Sequence, residues 1–281
     1  MIVVITGASG FIGRHLTGKL REAGHVIREV KGRSLAGLPQ AIPGADAVIH
    51  LAGENVAQRW TQAAKRRIRD SRINGTWQVV QSIQEANPKP AALLCASAVG
   101  IYGSRGDEAL AEDSRPGLGF LANVCLEWER EARAAEAFVS RVVNLRFGAV
   151  LGRDGGAYSK MARPIRWGVG GRLGDGKQWL PWVHIDDVVG LIQFSLANSG
   201  IRGPINVTAP NPVTNGNFTN ALAAAMHRPA IFAVPRLALK LMLGEMSEVV
   251  LASQRVLPQA ALTAGYKFEF SEIGPALDAL V

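Results

Sequence analysis

The sequence predicts an α/β protein in which a doubly wound parallel sheet is joined to a smaller, interleaved C-terminal lobe. In the first half, apolar runs alternate with helical patterns, and the runs are apolar enough for strands that are covered on both faces. Glycines cluster directly after the first apolar run, where the first helix should begin. After residue 150, glycine and proline become dense and the predicted helices become shorter.

Strands are predicted wherever a short apolar run lies between turn residues. The candidates are residues 2–5, 25–30, 47–52, 91–98 and 139–147. Apolar residues recur every three or four positions between these runs, which predicts helices over residues 11–23, from near 60 to 83, and over 121–135. Shorter helices are expected near 186–198, 216–226 and 236–252. This alternation predicts right-handed crossovers in a parallel sheet.

The change in composition and helix length after residue 150 suggests two interleaved units. Residues 1–155 are predicted to form the sheet domain, to which residues 184–208 would return. Residues 156–281 are predicted to form the smaller lobe over the carboxyl edge of the sheet. In doubly wound folds a ligand lies in the crevice at that edge.

The composition is that of an ordinary globular protein, with 48% hydrophobic and 19% charged residues. The longest apolar stretch, residues 91–101, is shorter than the roughly 20 residues of a membrane span, so no membrane partner is expected. The chain enters a strand directly, which leads us to expect a cytoplasmic protein. Cys95 and Cys125 are expected to pack in the core. No cysteine or histidine pair has metal-ligand spacing, and no metal is predicted.

The net charge of +8 is compatible with nucleic acid or with a polyphosphate cofactor. Its densest part is one run that contains Arg59, Lys65, Arg66, Arg67, Arg69 and Arg72. Between residues 65 and 72 no aromatic residue is interleaved for base stacking. We therefore favour a solvated helix face with one or two members turned toward phosphate, and expect no nucleic-acid partner.

The stretch TGASGFIG, residues 6–13, has the glycine spacing of a dinucleotide-binding turn. Gly7 would allow the tight turn out of the strand, Gly10 would let the backbone approach a pyrophosphate, and Gly13 would permit close helix–sheet packing. The helix that follows would offer free amides and its positive dipole end to the phosphates. The strand before and the helix after the glycines make this a specific prediction of a Rossmann-type cofactor domain.

The end of the second strand predicts which dinucleotide binds. Asp or Glu there holds the ribose 2′-hydroxyl of NAD, whereas an arginine accommodates the 2′-phosphate of NADP. The segment REVKGRS, residues 28–34, places Lys31 and Arg33 after the strand and has no acid beyond Glu29. NADP(H) is therefore favoured, although a strand end shifted by two residues would make Glu29 an NAD-type acid.

Five motifs occur in order along the chain: TGASGFIG (6–13), AVIHLAGEN (47–55), SAVGIYG (97–103), LRFGAVLG (145–152) and PWVHIDDV (181–188). Together they resemble the extended short-chain dehydrogenase/reductases, the group of nucleotide-sugar epimerases. Residues 59–76 and 179–187 are similar to an atypical subgroup of epimerase-family or cell-division-inhibitor-like proteins. The characteristic C-terminal segment of that subgroup resembles residues 253–270.

The resemblance implies a set of cofactor contacts along the carboxyl edge of the sheet. The phosphate turn would use Gly7, Ser9, Gly10, Phe11, Ile12 and Gly13, and the end of the third strand would use Leu51, Ala52 and Gly53. The nicotinamide would lie near Ser97, Phe147, Gly148 and Val150, and Arg72 would be an additional contact.

The usual active site of that family combines a serine with a tyrosine and a lysine four residues later. The tyrosine transfers a proton and the lysine lowers the pKa of the tyrosine. The three tyrosines of this chain are followed, four residues later, by Gly106, Ala162 and Phe270, so the pair is missing. Alignment of residues 119–131 puts Leu121 and Cys125 where the tyrosine and lysine are expected.

Other residues are candidates for the chemistry. Ser97 and Tyr102 are the catalytic candidates, with packing against the small lobe as the alternative role of Tyr102. Glu54, His184 and Arg172 are candidates for substrate contact. Glu54 could instead bond a loop, and Asp186 is expected to cap the helix that follows His184.

Two functional hypotheses follow. The first is an NADP(H)-dependent oxidoreductase or epimerase that acts on a small molecule, such as a nucleotide sugar or another carbonyl compound, with a nonstandard proton donor. The second is a non-catalytic NADP(H)-binding sensor or regulatory protein. A homodimer formed through helices such as 60–86 and 119–137 is compatible with both.

Overall fold

The structure, a computed structural model, describes residues 1–32 and 34–281. Its strands, in chain order, are β1 (Ile2–Thr6), β2 (Val26–Val30), β3 (Ala47–His50), β4 (Ala92–Ala98), β5 (Ala109–Leu110), β6 (Arg141–Phe147), β7 (Ala149–Gly152), β8 (Gly155–Gly156), β9 (Gly171–Leu173), β10 (Trp179–Leu180), β11 (Trp182–His184), β12 (Gly203–Val207), β13 (Val213–Thr214), β14 (Phe232–Val234) and β15 (Arg255–Val256). The central sheet has the order β12-β6-β4-β3-β1-β2, and every adjacent pair is parallel. The predicted doubly wound α/β fold is confirmed.

The helices, in chain order, are α1 (Phe11–Glu22), α2 (Leu38–Ala41), α3 (Gln62–Glu85), α4 (Phe120–Arg133), α5 (Tyr158–Arg166), α6 (Ile185–Ala197), α7 (Asn215–Ala225), α8 (Arg236–Leu243), α9 (Ser247–Leu251), α10 (Gln259–Thr263) and α11 (Ile273–Asp278). The helix predicted over residues 236–252 is interrupted, because Gly244 adopts a φ of 61° and ends α8. Strand β12 was not predicted, since it lies in a stretch whose glycine and proline content indicates loops.

The helices bury both faces of the sheet. Because successive strand residues point to opposite faces, Ile5 packs in a core layer with Leu16 of α1 and with residues of α6. Its neighbour Val4 packs in the other layer with Val79 of α3 and Trp128 of α4. The two layers fix α1 against one face and α3 and α4 against the other.

The strand order reverses at β1, which has β2 on one side and β3 on the other. The carboxyl ends of parallel strands share one edge, and the connections leave that edge in opposite directions at the reversal. A crevice therefore opens beyond Thr6 and His50, which are partners in the register. Farther along the same edge, Ala98 of β4 pairs with Phe147 of β6.

The C-terminal part of the chain forms a second core, which includes Tyr158 and Trp182. It is also fastened to the loop that follows β4. Strand β15 pairs with β5, and the side-chain amide of Gln254 donates to the carbonyl oxygens of Val99 and Gly103. The small lobe is thus held against the crevice edge of the sheet.

Both cysteines are free and buried, as predicted. Burial raises the pKa of Cys95 and of Cys125 to about 12, so both remain thiols. Within the described residues, no helix combines the length and apolar character that a membrane crossing requires. In the same part of the chain, no cluster of three or more His, Cys, Asp or Glu residues is arranged to hold a metal ion.

Candidate functional site

The glycine turn after β1 is built on close backbone contacts. Gly7 has a φ of +73°, and a Cβ there would lie 2.8 Å from the backbone of Leu51 and Ala52. A Cβ on Gly13 would lie 2.2 Å from the carbonyl oxygen of Gly7. Side chains are therefore excluded at both positions, which brings the turn, α1 and the end of β3 together.

Gly10 has a different surrounding. It is exposed, and a Cβ there would meet only the Gly7 carbonyl oxygen, at 3.1 Å, within 4 Å. Gly10 is also the N-cap of α1 and provides no side-chain cap, so the first amides of the helix face outward from the turn. Ser9 beside it is exposed. This arrangement leaves room for an anionic group at the helix N-terminus.

Phe11 and Ile12 follow this turn, but their side chains serve packing. The Phe11 ring would be 2.5 Å from a Cβ on Gly152 or Gly155, so it fills the space that these glycines leave in the β7–β8 hairpin. Ile12 packs against the core layer under α1. Both side chains are half-buried in this packing.

The end of β2 has a basic character. Glu29 is turned toward α1, where its carboxylate accepts from Arg21 at 2.7 Å. The strand continues to Val30, which is buried, and Lys31 then lies exposed beyond it. The strand end is therefore not shifted to make Glu29 its terminal residue. Arg33 lies outside the described residues.

Beyond β3, the chain passes Leu51, Ala52 and Gly53 beneath an arginine of α3. The Arg72 guanidinium donates from Nη1 to the carbonyl oxygens of Glu54 and Ile68, at 3.0 Å each. It lies 5.0 Å from the ring centre of Trp128. Burial lowers the pKa of this guanidinium below its usual range, but an arginine remains charged at neutral pH. A fixed positive charge is thus placed between α3, α4 and the crevice.

His50, at the end of β3, lies behind this arginine and is fully buried. Its Nδ1 is 2.6 Å from the hydroxyl oxygen of Thr6. Burial, reinforced by the charge of Arg72, lowers the pKa of His50 to about 4. The ring is therefore neutral, and it joins β3 to β1 beneath the crevice.

The two catalytic candidates are both buried in this structure. Ser97 is 2% exposed, and its hydroxyl donates to the carboxylate of Glu129 at 2.7 Å. Tyr102 is 0% exposed; its hydroxyl donates to Asn206 Oδ1 at 2.7 Å and accepts from Arg146 at 2.8 Å. Burial raises the pKa of Tyr102 to about 12. The hydroxyl of Tyr102 is thus used inside the protein, and its assignment as a proton donor stays a prediction beside the alternative packing role.

These two side chains belong to one buried polar network. Its centre is the ion pair of Arg146 and Glu129, in which two nitrogens meet two oxygens at 2.8 and 2.9 Å. Burial opposes the charge on Arg146, but the hydrogen bonds and charge of Glu129 outweigh this and raise the pKa of the guanidinium. The network joins α4, β4 and β6 to the β12 edge through Asn206. Sequence reasoning missed it, since its members are up to 104 residues apart.

The wall of the crevice that faces α4 is apolar. A Cβ on Gly100 would lie 3.2 Å from Leu121 and 3.9 Å from the sulfur of Cys125, so α4 packs closely on the turn after β4. Ala98 is the half-buried residue at the end of β4. At the end of β6, Phe147 and the neighbouring Gly148 are half-buried.

Gly148 is held by a close approach to the small lobe. A Cβ there would lie 2.4 Å from the carbonyl oxygen of Pro181, so this position requires a glycine. Val150, two residues farther on, is 8% exposed. Its carbonyl oxygen accepts from the amide of Ala157, so it contributes to packing at this end of the crevice.

The candidates for substrate contact are dispersed. Glu54 is 13% exposed and accepts from the Gln58 side chain at 3.2 Å. Arg172 is exposed on β9. His184 is buried, caps α6 by accepting from the amide of Asp186, and stacks on Phe270 with 4.0 Å between ring centres. The cap is therefore His184 rather than Asp186. The role of His184 in substrate contact stays a prediction, although its ring is buried.

The motif around His184 also anchors the C-terminal segment. Asp187 is 1% exposed and accepts from the amides of Glu269 and Phe270 at 2.8 and 2.9 Å. The Tyr266 hydroxyl lies 3.2 Å from the same carboxylate. A segment from the far end of the chain is thus fixed to the N-terminus of α6.

Several residues of the basic run form ion pairs with other elements of the protein, which the side chains of a fully solvated helix face would not do. Lys65 pairs with Glu245 of the small lobe, and Arg69 pairs with Glu127 of α4. Arg72 is half-buried in the crevice. Arg72 is thus the member of the run that lies beside the crevice, and two of the other charges join elements of the protein. The expectation that one or two members turn toward phosphate stays a prediction.

Comparison with known proteins agrees with this geometry. Residues 3–208 match the NAD dependent epimerase/dehydratase family, and residues 234–280 match a domain of unknown function, DUF1731. The chain is 39% identical to the Epimerase family protein YfhF of Bacillus subtilis over 298 residues, which covers 100% of this chain and 98% of that protein. It is 40% identical to the chloroplastic SDR39U1 homolog of Arabidopsis thaliana, covering 100% of this chain and 87% of that protein.

Solved structures extend the comparison. The human epimerase family protein SDR39U1, crystallised with NADPH, has a TM-score of 0.93 and 32% identity, covering 100% of this chain and 99% of that chain. A nucleoside-diphosphate sugar epimerase from Corynebacterium glutamicum has a TM-score of 0.79 and 32% identity over 99% of this chain and 57% of that chain. With the glycine turn, the parallel sheet and these matches together, the chain belongs to the NAD dependent epimerase/dehydratase family.

Proposed function

We propose that this chain binds NADP(H) across the crevice between β1 and β3, with the pyrophosphate at the N-terminus of α1. The glycine turn carries this proposal. Gly7 and Gly13 exclude side chains for packing reasons, whereas Gly10 is exposed and leaves room for a ligand. Free helix amides and the absence of an acidic residue from the first turn of α1 suit a phosphate group.

The preference for NADP(H) over NAD(H) rests on the end of β2. The carboxylate of Glu29 is engaged by Arg21, so it is not directed at a ribose. Lys31 is exposed beyond the strand and suits a 2′-phosphate. The human relative was crystallised with NADPH, which supports the same choice.

The nicotinamide ring, when bound, supplies or accepts a hydride. We infer that the chain acts without the tyrosine–lysine pair of its family, because Leu121 and Cys125 stand where that pair is expected. Neither an apolar side chain nor a buried thiol can replace the pair, and the pKa of Cys125 is raised to about 12. A small carbonyl compound, including a nucleotide sugar as in the relative from Corynebacterium glutamicum, is the substrate class that we propose.

A second candidate is a non-catalytic NADP(H) sensor or regulatory protein. One observation favours it: the hydroxyls of Ser97 and Tyr102 are both engaged inside the polar network. A protein that keeps its glycine turn but uses both hydroxyls inside the protein is suited to bind a cofactor without transferring a proton to a substrate.

Isothermal titration of the purified protein with NADPH and with NADH tests the proposed cofactor. We expect Lys31→Ala to weaken NADPH binding about three- to tenfold and to leave NADH binding unchanged, because only NADPH carries the 2′-phosphate. Lys177→Ala, which removes an exposed lysine in the small lobe, is the matched control. An equal loss for both nucleotides would contradict the assignment to NADP(H).

Turnover separates the two candidates. The protein is incubated with NADPH and a panel of carbonyl compounds, and with NADP⁺ and nucleotide sugars, and the nicotinamide absorbance and the sugar products are followed. Product formation that depends on the protein supports the enzyme, and tight binding without product across the panel supports the sensor.

A further inference from the structure

We propose that the small lobe docks on the surface of a bilayer that contains anionic phospholipids. The docking surface, here called the lobe surface, consists of residues 163–169 and 231–242. The inference requires neither NADP(H) nor turnover and goes beyond the proposed function. The expectation of no membrane partner rests on the length of the apolar stretches, which concerns a membrane span and not a protein that lies on a bilayer.

The lobe surface exposes a concentration of apolar side chains. Among the described residues, fifteen large hydrophobic side chains are exposed, and seven of them lie in these two short segments. Trp167 follows α5 and is 74% exposed, and Phe232 begins β14 and is 53% exposed. Single exposed apolar residues are common, whereas a cluster of them marks an interaction site.

Helix α8 presents an apolar side outward. Leu237 and Leu241, four residues apart and therefore on one side of the helix, are 69% and 71% exposed. Leu239 lies on the opposite side and is buried. Arg236 and Lys240, also four residues apart, form an exposed basic row beside the two leucines. An apolar row beside a basic row is typical of helices that lie in a membrane interface.

Pairing at both ends holds α8 in this orientation. Before the helix, β14 pairs in parallel with β9, and Phe232 is the partner of Gly171. After it, Glu245 pairs with Lys65 of α3. The outward apolar side is therefore part of the fold.

The β9–β14 ladder also brings the end of α5 to the same part of the lobe. Val169 comes two residues before Gly171, and Ile231 directly precedes Phe232. Because the two strands are parallel, both segments enter the ladder from the same end. The exposed apolar residues that follow α5 thus lie close to those that begin β14.

The charges around these apolar residues have one sign. Residues 157–174 and 226–244 contain arginines and lysines but no aspartate or glutamate. Arg163 and Arg166 are exposed on α5, as is Lys240 on α8. An anionic headgroup attracts each such cation.

A bilayer surface matches both properties at once. Its phosphate groups attract the basic residues, and the boundary of the acyl chains takes up leucine and tryptophan side chains. Asp175 borders the lobe surface at 3.8 Å from Arg236, but both side chains are more than half exposed, so water weakens this pair. The lobe surface therefore keeps its positive charge toward the bilayer.

Co-sedimentation of the full chain with vesicles at low ionic strength tests the proposal. One set of vesicles contains phosphatidylcholine alone, and the other contains added phosphatidylglycerol. We expect wild type to bind the anionic vesicles at least tenfold more strongly, because each cation near the surface contributes about fivefold. Added salt should weaken this binding.

Leu237→Gln combined with Leu241→Gln removes the apolar row and keeps a good helix former. Binding to anionic vesicles should fall at least tenfold, because two leucines lose their place in the bilayer boundary. Leu118→Gln combined with Leu262→Gln is the matched control, since both leucines are exposed outside the lobe surface. This control should bind within twofold of wild type.

Arg166→Gln combined with Lys240→Gln should weaken binding about ten- to thirtyfold, at about fivefold for each cation. Arg130→Gln combined with Arg133→Gln removes the same charge from exposed positions of α4 and should weaken it less than about threefold. Tryptophan emission gives a second readout. Its blue shift on anionic vesicles should be lost in Trp167→Phe and kept in Trp77→Phe, which replaces an exposed residue of α3.

Distinct outcomes would overturn the proposal. Wild type that does not bind anionic vesicles, or that binds both sets equally, removes it. Variants of the lobe surface that bind as well as their controls remove it too. Retention on immobilised polyglutamate without vesicle binding would assign the lobe surface to an acidic protein instead. Since no nucleotide is present, each of these failures leaves the proposed cofactor unaffected.

Discussion

Replacing Glu129 by glutamine should destabilise the protein strongly, because it removes one partner of a buried ion pair. Glu129 is 3% exposed and its partner Arg146 is 8% exposed. The carboxylate accepts from two nitrogens of Arg146 and from the Ser97 hydroxyl. The amide nitrogen of glutamine cannot accept, so at least one of these donors loses its partner, and the guanidinium keeps its charge without an anion.

The magnitude follows from the loss of one partner of a buried pair, which costs about 3–5 kcal/mol. The chain has 281 residues, for which the entropy of unfolding is about 0.6 kcal/mol per kelvin. We therefore expect the melting temperature to fall by about 5–8 °C.

Thermal unfolding by calorimetry measures this shift, and the same helix offers a matched control. Glu127 also pairs with an arginine, Arg69, but the two side chains are 32% and 46% exposed. Glu127→Gln should cost at most about 1 kcal/mol, a fall of less than about 2 °C. Equal shifts for Glu129→Gln and Glu127→Gln would refute the view that burial makes the difference.

Three further predictions concern stability. Since the pKa of His50 is lowered from 6.5 to about 4, the unfolded chain binds the proton first as the pH falls, and His50 should cost about 2 kcal/mol of stability between pH 7 and pH 5. The denaturant midpoint of His50→Gln should change less between pH 7 and pH 5 than that of wild type. An equal dependence of the midpoint on pH in both proteins would contradict the prediction. Asp187→Asn should cost about 2–3 kcal/mol and expose residues 253–281 to limited proteolysis; cleavage at the wild-type rate would contradict the anchoring role. Gly18→Ala, with nothing within 4 Å of the added Cβ, should raise the free energy of unfolding by up to about 1 kcal/mol and with it the melting temperature. Gly13→Ala, with a Cβ 2.2 Å from a carbonyl oxygen, should lower both, and melting-temperature shifts of the same sign would be inconsistent with this geometry.

The fold could be predicted because its signals are local. The apolar runs gave the strands of the sheet except β12, and periodicity gave α1, α3 and α4 to within about two residues. The exception has a physical reason: β12 is buried only because it joins the edge of a sheet whose other strands come from residues 2–147. The short segment Gly203–Val207 begins with a glycine and a proline, and it has no periodicity that would indicate a strand buried in a sheet.

The cofactor part of the candidate site was also accessible from the sequence. A glycine's function depends on the space around one backbone position, and the strand–turn–helix pattern already implies that space at Gly7 and Gly13. Gly10 is exposed, and its predicted role beside a pyrophosphate stays a prediction. The basic residue Lys31 after β2 was found because its place follows from the end of a strand.

The chemistry of side chains far apart in the chain was decided only by the tertiary structure. Tyr102 lies in a recognisable motif, but its partners Arg146 and Asn206 come from β6 and β12, and they bury its hydroxyl. The burial of Ser97 and the stacking of Arg72 on Trp128 depend in the same way on α4. The sequence by itself determined the strands, the helices and the glycine turn, because these depend on neighbours in the chain. Packing between elements decided which polar groups face the crevice and which are buried in hydrogen bonds within the protein, because burial and pairing depend on neighbours in space.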